Sequence, residues 1–156
     1  MKVTIPAPLQ QEHQELHATL ARATREPSPI GEAAREVARL LHPHFVREEE
    51  FALPPLGLLT DLARGMAVPE IQEVIGMTRR LKAELPDMLD EHRQIVAALD
   101  KLRLAAREAG RPEYEAFAEA LTLHAQTEEQ VLYPAAILVG EYLASRVGQG
   151  STPEAR

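Results

Sequence analysis

The chain has 156 residues, 45% hydrophobic and 26% charged, a balance that suits one globular domain with a real core and leaves too little chain for two. Its net charge of −7 argues against a nucleic-acid face and gives no reason to expect a membrane surface, and the absence of Cys excludes disulfides, thiolate metal sites and iron–sulfur clusters. Scarce aromatics and abundant Ala, Leu, Glu and Arg, all good helix formers except the aromatics, predict an all-α fold. The N-terminal MKVTIPAPLQQEHQEL lacks the apolar run of a signal peptide, and no stretch is long and apolar enough to span a bilayer, so a cytoplasmic protein is expected.

MKVTIPAP is a proline-broken lead-in. From Leu9 the apolar and His positions recur at helical spacing until Pro27 and Pro29. A second helix is predicted from Ile30 to about Leu53, kinked by Pro43 and stopped by Pro54 and Pro55. LGLLTDLARGMAV is a connector with room for a short helix. Pro69 suits the first position of a third helix that runs to about Ala109 with a kink near Pro86. GRP at 110–112 is a turn, and a fourth helix runs from about Glu113 past Leu143. Residues 1–147 are expected to form the domain and 148–156 a disordered tail. Four useful helices on short connections favour an up-down-up-down four-helix bundle.

One stretch is written twice. HFVREEEFALP at 44–54 and HAQTEEQVLYP at 124–134 both begin with His, carry Glu-Glu at the same offset and place Pro at the tenth position after the His. Glu12-His13-Gln14-Glu15-Leu16 is likewise echoed by Glu91-His92-Arg93-Gln94-Ile95. The two offsets, 13 to 92 and 44 to 124, differ by one residue. The chain therefore reads as two pseudo-symmetric helical hairpins that face each other, with His13, His44, His92 and His124 on four different helices around one core.

A separation of four is about 400° on a helix, so His44 shares a face with Glu48, and His124 with Glu128. Leu41 and Phe51 bracket the first pair, and Leu121 and Val131 the second, so the polar groups interrupt inward-facing apolar stripes. A buried carboxylate without a partner is costly, and imidazole facing carboxylate in a dry bundle is satisfied either by a hydrogen-bonded polar core or by metal. Neutral His with carboxylate suits Fe, Mn or Zn better than Mg or Ca. Glu49, Glu50 and Glu129 are expected on a solvated face, and His42, two residues before His44, is expected to be exposed.

The ordered set His13, His44-x-x-x-Glu48, His92, His124-x-x-x-Glu128 resembles the hemerythrin-like, or HHE cation-binding, domain from about residue 9 to 143. The resemblance implies an up-down four-helix bundle with two non-haem iron ions, Fe/Fe foremost and Mn or Zn as alternatives, joined by a bridging oxo or hydroxo. It implies that Glu48 and Glu128 bridge the metals and that the His residues are terminal ligands. Members that carry O2 use five His, the fifth one turn along the third helix. Val96 occupies that place here, whereas His17 follows His13 by four and could supply the fifth imidazole from the other half. On that basis His13, His17 and His44 would hold one metal and His92 and His124 the other, which would keep the open position. The family also places the carboxylate of its fourth helix five residues after the His, where Glu129 stands here.

The resemblance implies O2 or a related small ligand, in sensing or storage; a di-iron enzyme acting on peroxide or nitric oxide and a metal-free helical interaction module are the alternatives. HQELH at 13–17 lacks the base of a zinc protease, since Gln14 stands where Glu belongs. No His has Glu three residues before it, as ferritin-like di-iron sites require. Family members with a nitric-oxide-linked iron-repair role often add a Cys-containing segment, and this chain has no Cys. Nothing in the sequence decides an oligomeric state.

Overall fold

The computed structural model describes residues 2–149, and every regular element among them is helical. Residues 150–156, most of the expected tail, lie outside the described residues. The first rod is α1 (Ala7–Thr24), whose start is set by Pro6 and Pro8, where a missing N–H costs nothing. The second rod is α2 (Ile30–Arg47), which runs on through Pro43 into a π-helical turn, Glu48–Ala52. The connector forms a 3-10 turn (Pro54–Leu58) and the short α3 (Leu59–Ala63). The third rod, α4 (Ile71–Glu108), passes through Pro86. The fourth is α5 (Pro112–Thr127), a second π-helical turn (Glu128–Leu132) and α6 (Tyr133–Gln149) in succession.

One boundary differs from expectation. Pro69 lies two residues before α4, because Glu70 takes a left-handed conformation (φ 56°) that no helix can include. The turn between α4 and α5 is made by Gly110 (φ 67°), the residue type that reaches this region without steric cost, and Pro112 opens α5. Glu26, after α1, accepts hydrogen bonds from Arg111 (2.7 and 2.8 Å) and from the Tyr114 hydroxyl (2.9 Å), tying the α1–α2 loop to the start of α5.

Two apolar clusters enclose a polar layer. One packs Leu16, Leu41, Phe45, Ile95 and Leu121 with their neighbours. The other packs Phe51, Leu81, Met88, Tyr133 and Ala136, with Leu9 against it. On each rod the buried His lies between a residue of one cluster and a residue of the other, which sets all four His at one level of the molecule. Gly140 lets α6 approach α4: a Cβ there would stand 1.7 Å from the Thr78 hydroxyl oxygen.

Candidate metal centre

Six polar side chains are buried at that level: His13, His44, Glu48, His92, His124 and Glu128, each no more than 6% exposed. Helical spacing places His44 Nε2 3.0 Å from Glu48 and His124 Nε2 3.4 Å from Glu128. The other two His arrive from neighbouring rods, His13 Nε2 at 3.5 Å from Glu48 and His92 Nε2 at 3.5 Å from Glu128. The six form two sets. His13, Glu48, His124 and Glu128 can each offer one ligand atom within 4.8 Å of the others, and so can His44, Glu48, His92 and Glu128. Both carboxylates belong to both sets.

This grouping differs from the expected partition. His13 goes with His124 rather than with His44, and His44 with His92, so each set draws its two imidazoles from different hairpins. Of Glu128 and Glu129, the first lies in the sets. His17 lies in neither: it is half-buried, its ring against Phe45 at 5.1 Å and against His42 at 6.0 Å, and His42 is exposed as expected.

Each inward Nε2 is matched by an outward Nδ1 that meets a second carboxylate from another rod. His44 Nδ1 donates to Glu91 (2.6 Å), His92 Nδ1 to Glu129 (2.9 Å) and His124 Nδ1 to Glu12, while His13 Nδ1 reaches Glu49 at 3.5 Å. A carboxylate can only accept, so each keeps a proton on Nδ1 and leaves Nε2 facing the interior, able to bind a cation once any second proton is lost. Glu49 and Glu129 are thus not merely solvated, although both reach the surface. Glu12 and Glu91 each directly precede a His, and that repeated Glu-His dipeptide is the sequence signal for them. Arg47 forms a further ion pair with Glu91.

Tyr133 is a functional candidate that sequence reasoning missed. Its hydroxyl donates to Glu48 and lies 3.2 Å from His92 Nε2 and 3.4 Å from His44 Nε2. Burial and the two carboxylates push its phenol far above the usual range, so it keeps its proton. The π-helical turns carry both buried Glu residues. In each, a backbone N–H bonds five residues back, Leu53 to Glu48 and Tyr133 to Glu128, just before a proline. Pro54 and Pro134 have no N–H to give, and their rings crowd the carbonyl four residues earlier, which favours the wider turn.

The electrostatics set burial against the paired carboxylates at His92 and His124. Burial pulls the His92 imidazolium down, but bonds to Glu128 and Glu48 outweigh it and push it up to about 10. His124 is raised to about 9 by Glu128 in the same contest. Burial and the neighbouring Glu48 push Glu128 up to about 7. Glu48 stays well below its ordinary value despite burial, because hydrogen bonds from its neighbours favour the charged form. Burial lowers His13. Within the two sets, four buried atoms, His13 Nε2, His124 Nε2, Glu48 Oε2 and Glu128 Oε2, have no hydrogen-bond partner. Orphaned buried groups are costly, and a cation between them is what this donor set would satisfy.

The model of the hemerythrin HHE cation-binding domain matches residues 4–136, a span that includes all six buried residues. The chain belongs to that family. Neither the curated proteins nor the solved structures give a match. A hemerythrin HHE domain with a buried His/Glu group able to bind metal is therefore what this chain provides. Among the described residues no helix is long and apolar enough to cross a membrane.

Proposed function

We propose that the buried centre holds two non-haem iron ions and that the protein binds O2 or a related small ligand in sensing or storage. The observation that carries this reading is the sharing of Glu48 and Glu128 by both four-residue sets, which is what two bridging carboxylates require. His13 and His124 would ligate one ion, His44 and His92 the other. When bound, such an iron pair supplies redox chemistry toward O2, peroxide or nitric oxide. The chain's own residues bind and orient it: the outer carboxylates fix the four imidazoles, the apolar clusters above and below keep water out, and Tyr133 holds a proton beside His44 and His92. That proton also gives the alternative, an enzyme acting on peroxide or nitric oxide, its one structural support.

We also read the bundle as up-down-up-down and as two pseudo-symmetric hairpins. Chain direction supports the first: α1 and α4 run from the Tyr133 cluster through their His to the Phe45 cluster, and the other two rods run the opposite way. The outer carboxylates support the second, since Glu12 on His124 corresponds to Glu91 on His44, and Glu49 on His13 to Glu129 on His92.

The deciding experiment is metal analysis of the purified protein with absorption spectra of the reduced form before and after O2. Two irons per chain and a reversible spectral change are expected. A metal-free or colourless protein would overturn the proposal, and oxygen evolution from added peroxide would favour the enzyme.

A further inference from the structure

A second pair of imidazoles lies outside the buried centre. His17 on α1 and His42 on α2 meet with ring centroids 6.0 Å apart and planes at 80°. They stand on a cleft of about 250 Å³ between these helices, whose other walls are apolar except for Thr24. The Thr24 hydroxyl is already spent on the Ala21 carbonyl (2.7 Å). Among the described residues neither His ring makes a hydrogen bond to protein; their recorded contacts are with aromatic rings. His17 also stands apart from the centre: it belongs to neither buried set, and it packs on Phe45 (5.1 Å, planes at 68°), the ring that stacks on His13 at 4.1 Å.

We infer that His17 and His42 form a separate, solvent-facing site for one late first-row divalent cation, Cu2+, Zn2+ or Ni2+, bound by two imidazoles with water completing the shell. Imidazole without carboxylate suits these ions and not Mg2+ or Ca2+. With metal–nitrogen bonds of about 2 Å, two rings on one ion hold their centroids about 5–6 Å apart, close to what the free rings already show. The two side chains come from adjacent helices that the core fixes, so little ordering is needed on binding. The contrast with the interior is chemical: the buried sets share carboxylates, whereas no acidic residue lines the outer cleft.

The test is a Cu2+ titration of the full-length protein, by calorimetry and electron paramagnetic resonance, after the metal already present has been measured. The wild type should bind one equivalent more than either His17→Gln or His42→Gln, with nitrogen couplings from two imidazoles that both variants lose. Both variants should keep the wild-type content of buried metal. Equal stoichiometry in all three proteins would overturn the inference. So would a His17→Gln variant that loses buried metal while His42→Gln behaves as wild type, because His17 would then belong to the centre. The equivalent is counted as a difference between proteins, so the result stands whether or not the buried sets hold iron.

Discussion

The two sides of the centre share their carboxylates yet are built differently. On the side of His44 and His92 the Nε2 atoms lie 2.9 Å apart, Tyr133 fills the space beside them, and Glu91 is braced by Arg47. On the side of His13 and His124 both Nε2 atoms are orphaned, Phe45 offers only a ring face, and the outer carboxylates Glu12 and Glu49 are each 49% exposed. A cleft of about 300 Å³ lined by Leu9, Glu12, Leu16 and Leu123 reaches His124 on this side. One side is closed and internally satisfied, the other open and short of partners. On the proposed function a small ligand would arrive at the open side, while the closed side keeps the geometry.

The largest effect should come from removing what the two sides share. Glu48→Ala takes a carboxylate from both sets, so metal per chain, measured by elemental analysis, should fall from two ions to nearly none; retention of one full ion would break the shared-carboxylate picture. Next come His44→Ala and His124→Ala, one on each side. Both should lose metal and, in excess metal, about 3–4 kcal/mol of stability, read as a lower melting temperature. Unchanged metal content in both would overturn the assignment.

The outer carboxylates sharpen the comparison. Glu91→Gln and Glu49→Gln should each weaken metal binding, within about 10–100-fold, and Glu91 should lie at the upper end because its bond is shorter and braced. Protons give the next test. In the metal-free protein His92 is pushed up to about 10 and His124 to about 9, so both are charged at neutral pH and must lose a proton to take up a cation. Affinity should therefore rise as pH climbs from 7 towards 10, with protons released on binding, as calorimetry in buffers of different ionisation enthalpy would show. His13, which burial lowers, should release none above neutral pH. The smallest effect should be that of Tyr133→Phe, which removes a donor to buried Glu48 and should cost about 1–2 kcal/mol in the metal-free protein, with both ions still bound.

The polar interior was largely legible in the sequence. His44 with Glu48 and His124 with Glu128 are helical neighbours, and the repeat drew in His13 and His92. The grouping of imidazoles across the hairpins was not legible, because it depends on how the two hairpins are set against each other. His17 shows the limit of local spacing: it stands one turn from His13, yet Phe45 lies against it and it meets His42 instead. The outer carboxylates were visible as repeated dipeptides, but charge next to His also fits a solvated face. Tyr133 was hidden by the repeat itself, since its counterpart in the first copy is Leu53, an apolar core residue. The helices were legible from periodicity and proline, apart from the left-handed Glu70 that delays α4.

The wide turns at Glu48 and Glu128 reset the angular register of everything after them. Residues five apart on a regular α-helix diverge by about 140°, so Tyr133 would swing away from the direction of Glu128. Across the π-helical turn, position five stacks where position four normally would, and Tyr133 comes round to the interior. The proline at the tenth place of each repeated stretch is thus more than a stop signal: by relaxing the coil ahead of it, Pro134 lets a phenol share a chamber with acids that ordinary winding would have kept from it.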